Sequence, residues 1–159
     1  MVDVTPKPET ARVARARVTL RMRPATLAAI RKGTVAKGDV LGVARLAGIM
    51  AAKRTAEWIP LCHPVRLTGI DVQFALDRRR SAVAIETCVR TVDKTGVEME
   101  ALTAAAGAAL ALYDMVKAID RGLSVTNLGL VEKSGGRSGH WVRPGARRGR
   151  ARAAQRGAP

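Results

Sequence analysis

The 159-residue chain reads as an α+β domain, with helices packed on one face of an antiparallel sheet. Three observations predict it. Residues 14–22 alternate apolar and polar side chains with a period of two. Two further alternating stretches flank a short charged segment, the pattern of a hairpin. Between these strands lie Ala-rich segments bounded by helix start and stop signals.

The first strand sets Ala14, Ala16, Val18, Leu20 and Met22 on one face and Arg15, Arg17, Thr19 and Arg21 on the other, so it is half-buried with a cationic outer side. Pro24 opens a short helix through Ile30, and Gly33 closes it. Asp39 is the N-cap of a second helix running to about Trp58. Its Gly42, Ala44, Ala47, Gly48, Ala51 and Ala52 form a smooth surface for close backbone approach. Pro60 and Pro64 end that helix and hold Leu61-Cys62-His63 extended, because residues before proline are pushed out of the helical region. Ile70, Val72, Phe74 and Leu76, then Val83, Ile85, Thr87 and Val89, make the hairpin around Asp77–Ser81. Thr95 and Glu98 have capping-box spacing before a long Ala/Leu-rich helix to about Ile119. Gly122 stops it, and Leu123–Val131 is a last strand, poor in composition and uncertain in register at 124–129.

This order of elements resembles a ferredoxin-like arrangement with one extra helix. The domain spans 1–142, and 143–159 is a basic tail, rich in Arg, Gly and Ala, expected to be disordered. Aromatic residues are only 3% of the chain, so the core is packed from Ala, Val, Leu, Ile and Met. The net charge of +15 suggests nucleic acid at first. Yet six arginines sit in the tail, and the four aromatics Trp58, Phe74, Tyr113 and Trp141 are too scattered to stack on bases. A basic surface that attracts small polyanions fits equally. Cys62, Cys88, His63 and His140 give no CxxC pair and no four-ligand spacing, so no metal site is expected. Two thiols without a disulfide framework, and no signal peptide or membrane span in the pattern, point to the cytoplasm.

Several residues carry possible chemistry. Lys37, before Gly38 and a helix start, either holds an anion or is a solvated loop lysine. His63 is either a proton-transfer group or a structural histidine, and Cys62 reads more readily as filler than as a nucleophile. Asp114 and Lys117, three apart, share one helix face and can pair. Glu98 is explained by the capping box or by function, whereas Glu100 has no such structural explanation. Glu100 and Asp114 are separated by about 21 Å of helix, so one small-ligand pocket in one copy cannot hold both. If both matter, a second subunit completes the site. Lys133-Ser134-Gly135-Gly136-Arg137-Ser138-Gly139 resembles a phosphate-cradling loop without matching the P-loop pattern.

Four blocks stand in a specific order: Met1-Val2-Asp3-Val4 with Lys7, Thr10 and Arg12; Lys37-Gly38-Asp39-Val40 through Ala51-Ala52-Lys53-Arg54-Thr55 to Leu61-Cys62-His63-Pro64; Lys94-Thr95-Gly96-Val97-Glu98-Met99-Glu100 to Tyr113-Asp114-Met115-Val116-Lys117; and Lys133 to Gly139. Over about residues 1–140 the chain resembles the cyclic pyranopterin monophosphate synthase family of molybdenum cofactor biosynthesis. The resemblance implies conversion of a cyclic dihydroguanosine triphosphate to cyclic pyranopterin monophosphate with release of pyrophosphate, and no metal or organic cofactor. It implies a ferredoxin-like subunit, a homohexamer built from dimers, and a site at the dimer interface. It assigns catalysis to Asp114, Lys37 and Lys117, and substrate contacts to Leu61, Cys62, His63, Glu98, Met99 and Glu100. Lys133 and Arg12 would hold phosphate. The rival is a basic nucleic-acid module using the Arg face of the first strand and the tail, which leaves the carboxylate and histidine blocks unexplained.

Overall fold

A computed structural model describes residues 1–145. The elements run β1 (Thr10–Arg21), α1 (Pro24–Lys32), α2 (Val40–Lys53), α3 (Thr55–Trp58), β2 (Leu67–Asp77), β3 (Ala82–Asp93), α4 (Glu98–Val116), β4 (Ser124–Ser134) and β5 (Trp141–Val142). Every strand pair is antiparallel, and the sheet order is β2-β3-β1-β4-β5. The first four strands with α2 and α4 make the ferredoxin-like βαββαβ unit, and α1 is the extra helix.

The core lies where the alternation of β1 predicts. Ala14, Ala16, Val18 and Leu20 are fully buried against α4, whose Ala101, Ala104, Ala105, Ala108, Ala109 and Leu112 are also at zero exposure. Small side chains let α2 and α4 approach at backbone range. A Cβ built on Gly107 would lie 2.5 Å from the Ala51 methyl, and one on Gly48 would lie 2.9 Å from the Ala104 carbonyl oxygen. The buried Thr87 hydroxyl donates to the Ala101 carbonyl at 2.8 Å and ties α4 to the sheet. By length and composition α4 could cross a membrane; here its apolar face is spent on the sheet and α2.

The outer sheet face is a charge ladder. Arg17 meets Glu86 at 2.6 Å, Arg15 lies 3.6 Å from both Glu86 and Glu132, and Arg90 pairs with Asp71. Arg15 and Arg17 of β1 are therefore engaged with neighbouring acids, which removes part of the phosphate-binding surface that the nucleic-acid reading requires.

Local signals set several boundaries. Gly33 terminates α1 in the left-handed conformation, φ 67°, with its amide on the carbonyls of Ala29 and Ile30. The Asp39 carboxylate caps α2 by accepting from the Gly42 amide at 2.9 Å. Asp77 accepts from the Arg79 and Arg80 amides and shapes the hairpin turn.

Other expectations are corrected. The second helix does not run unbroken to Trp58: it ends at Lys53, Arg54 leaves the helical region, and Thr55 starts a separate turn after its hydroxyl bonds back to Ala52 at 3.0 Å. No capping box forms at α4. Its N-cap is Val97, without a side-chain cap, and Glu98 turns to Lys133 instead. The helix stops at Val116, short of Ile119. The last strand is longer than expected, and its pairing with β1 shifts twice, once at Val131 and once beside Asn127 at φ 57°. A fifth strand, β5, pairs with Glu132 and Lys133. Most of the segment read as a disordered tail, 146–159, lies outside the described residues. Arg143 at its start donates to the Leu130 carbonyl of β4 at 2.6 Å.

Candidate active site

The fold gathers the candidate residues into two groups at opposite ends of the α2–α4 seam. At one end, the turn after α1 carries Lys37 toward the last turn of α4. Lys37 Nζ donates to Asp114 Oδ2 at 2.7 Å and to the Asp114 carbonyl at 2.9 Å, while Lys117 Nζ lies 2.6 Å from Asp114 Oδ1. The carboxylate thus accepts one ammonium on each oxygen. Hydrogen bonds from Lys117 first and Lys37 second hold its pKa down to about 2. In return, Asp114 holds Lys117 above its ordinary value. All three side chains are about half exposed, so the cluster is accessible and carries one net positive charge.

At the other end, a cavity of about 250 Å³ is lined by Leu61, Cys62, His63, Thr95, Gly96, Glu98, Met99 and Glu100. Pro60 and Leu61 are not extended as expected but form a turn closed by the Cys62 amide on the Ile59 carbonyl at 3.0 Å, which shapes this wall, and the first turn of α4 supplies the facing one. Glu100 is only 4% exposed. Burial, with a smaller push from Glu98, raises its pKa above the usual carboxylate value. Burial, aided by Glu100, likewise raises the Cys62 thiol, so Cys62 is a neutral wall rather than a thiolate nucleophile.

A second cavity, about 530 Å³, shares Thr95 and Gly96 with the first and is lined by Lys7, Pro8, Thr10, Arg12, Lys94, Lys133, Gly136, Arg137 and Ser138. Lys133 sits on β4 and reaches Glu98 Oε1 at 2.8 Å. Arg12 spends Nε and one Nη on the carbonyls of Asp93 and Lys94, both at 2.9 Å, so it shapes the loop before α4 as well as lining the cavity. Gly135, at φ 94°, is the turn that brings this loop over β1. A Cβ there would strike the Ala11 carbonyl. Five cations in one cavity suit a polyanion.

Sequence reasoning had Lys7, Thr10, Lys94, Arg137 and Ser138 within its quoted blocks but not among its site residues. They converge because Thr10 and Asp93 are opposite one another in the β1–β3 register, which joins segments more than 80 positions apart. It also missed Asp120. This carboxylate, 3% exposed, accepts from the Arg23 amide at 2.8 Å and the Thr26 hydroxyl at 2.9 Å, and so caps α1 from a distant turn. Among the described residues no group of three His, Cys, Asp or Glu side chains is placed to hold a metal ion.

The sequence model of the MoaC family covers residues 1–136. The cyclic pyranopterin monophosphate synthase of Thermomicrobium roseum is 59% identical over 143 residues, 90% of this chain and 86% of that protein. The protein of the same name from Heliobacterium modesticaldum is 58% identical, over 90% of each. That from Pelotomaculum thermopropionicum is 60% identical, over 91% of this chain and 85% of its own length. The chain belongs to the MoaC family.

Proposed function

We propose that this MoaC-family enzyme, a lyase of molybdenum cofactor biosynthesis, converts (8S)-3',8-cyclo-7,8-dihydroguanosine 5'-triphosphate to cyclic pyranopterin monophosphate and pyrophosphate, at sites shared between two copies. The observation that carries the shared site is the placement of Glu100 in the first turn of α4 and Asp114 in its last. About 21 Å of helix separates them, more than one small substrate spans. A homohexamer assembled from dimers, in the cytoplasm, belongs to the same reading.

In this reading the polycationic cavity holds the triphosphate. Lys133 and Arg12, with Lys7, Lys94 and Arg137, neutralise charge on the departing pyrophosphate as the cyclic phosphate closes. The purine-derived rings lie in the smaller cavity against Leu61, Cys62, His63 and Met99. There Glu100, readily protonated because it is buried, and His63 exchange protons with the rings as they open and reclose. From the other copy, Lys37 and Lys117 enter as charged donors. Asp114, ionised between them, aligns both, and each lysine that donates a proton regains one from the ring positions that lose protons as the rings reclose.

The reading is tested with purified, metal-stripped protein and the cyclic triphosphate, measuring pyrophosphate and oxidised fluorescent pterin in parallel. Equal amounts of both products are expected; a folded oligomer yielding neither refutes the activity. Mixing Glu100→Gln and Asp114→Asn chains tests the shared site. Each alone is inactive, and random pairing should restore about one quarter of wild-type turnover, since half the pairs are mixed and each has one intact site. No recovery would place each site within one copy.

A further inference from the structure

One wall of the polycationic cavity is a loop that does not hold itself in place. The segment joining β4 to β5 supplies Gly136, Arg137 and Ser138 to the cavity. Its Gly135, Gly136 and Gly139 have positive φ values of 94°, 71° and 63°. Glycines in such conformations are free to leave them, so the loop depends on its ends. One end is the long strand β4, but the other is β5, two residues long and exposed at both. The charges also work against closure. Gly136 packs directly on the Arg12 guanidinium, and Arg12, Lys133 and Arg137 repel one another across the cavity.

We infer that Glu132 and His140 are positioning residues that clamp this loop shut and so keep Arg137 and Ser138 in the cavity. The inference rests on the reading that the cavity holds the triphosphate of the substrate. Across the β4–β5 ladder Glu132 faces Val142 and Lys133 faces Trp141, which makes His140 a diagonal neighbour of Glu132 on one face of the sheet. His140 Nε2 donates to Glu132 Oε1 at 2.9 Å, since carboxylate oxygens only accept. Glu132 Oε2 lies 3.6 Å from Arg15, so the clamp is braced on β1, the central strand. Strand alternation turns the next residue, Lys133, to the opposite face, where it lines the cavity. The clamp thus acts from behind the site. It touches no substrate, and it closes the hairpin whose tip carries Arg137 and Ser138. By offsetting the repulsion among the cations before the polyanion arrives, it lowers the cost of ordering the loop on binding.

The test measures binding of inorganic pyrophosphate to the full chain by calorimetry, together with KM and kcat for the cyclic triphosphate. His140→Ala and Glu132→Ala should each weaken pyrophosphate binding and raise KM by about two- to ten-fold, the worth of one hydrogen bond. Both should leave kcat and the thermal midpoint at their wild-type values, because His140 is half exposed and lies outside the core. The double variant should lose no more than either single one, since both lesions open one clamp. His140→Gln, whose amide can still donate to Glu132, should bind pyrophosphate as the wild type does. Wild-type pyrophosphate affinity in folded His140→Ala and Glu132→Ala overturns the inference, as does a His140→Gln that binds as weakly as His140→Ala. A wild type that binds no pyrophosphate refutes the polyanion cavity and the clamp together. Pyrophosphate binding that follows the clamp, in a protein without turnover, upholds the clamp and refutes the proposed activity.

Discussion

Gly107 couples the packing of the helix layer to the position of the Lys37–Asp114–Lys117 cluster. Gly107→Ala adds a methyl 2.5 Å from the Ala51 methyl and 3.4 Å from the Ala47 carbonyl oxygen, so α2 must shift outward. Overpacking of this kind costs about 1–3 kcal/mol. The better helix propensity of alanine returns about 0.8–1 kcal/mol. The net expectation is a loss of about 1 kcal/mol. Ala51→Gly alone should lose about 1 kcal/mol through propensity. In the double variant the clash is gone and the two propensity changes oppose, so stability should return to within about 0.5 kcal/mol of wild type. The coupling energy is then about 2 kcal/mol, inside the range for residues in contact. Urea unfolding at fixed chain concentration measures all four proteins, which keeps any assembly contribution constant. Turnover should follow the same pattern, because Asp114 lies two helical turns beyond Gly107 and meets Lys37 from the start of α2 only while the helices stay close. A stabilised Gly107→Ala, with no coupling to Ala51→Gly, would refute the close-approach argument.

Glu100→Gln should abolish turnover yet raise the thermal midpoint at neutral pH. Glu100 has a folded pKa above its unfolded value, so the stability it contributes is full below about the ordinary carboxylate pKa and is lost as pH rises through the folded value. The midpoint gap between variant and wild type should therefore widen with rising pH, and a constant gap would contradict the buried-carboxyl account. Asp114→Asn removes the charged partner that holds Lys117 up, so the Lys117 ammonium, followed by NMR, should titrate at lower pH than in the wild type. An unmoved titration would refute the Asp114–Lys117 pairing. Asp120→Ala strips the acceptor from the Arg23 amide and the buried Thr26 hydroxyl, at about 1.5–3 kcal/mol for each hydrogen bond to a charged group. A loss of about 3–6 kcal/mol is expected in urea unfolding at pH 7. It should shrink in acid, since the depressed Asp120 pKa makes this stability disappear as pH falls through the folded value.

What the sequence determined by itself was whatever depends on neighbours a few positions apart. The period of two in β1, the left-handed Gly33 after α1, the Asp39 cap and the Asp77 turn are all settled within one helical turn or one hairpin. The small residues of α2 and α4 announced a close approach before any partner was known, because only Gly and Ala leave a helix surface that flat. The ordered blocks were specific enough to indicate the family. Tertiary structure decided what needs a partner far along the chain. Thr95 and Glu98 have the spacing of a box, but Lys133 from β4 claims the Glu98 carboxylate. Asp120, which no local pattern singles out, caps α1, nearly 100 positions earlier. The β4 register could not be read because its apolar pattern is broken at Asn127, where the backbone kinks to follow β1. Sequence placed Lys37 and Asp114 in separate blocks; the antiparallel packing of α2 on α4 made them a hydrogen-bonded pair. The length of that same helix keeps Glu100 away from them, because a regular helix advances at a fixed rise per residue whatever its side chains are.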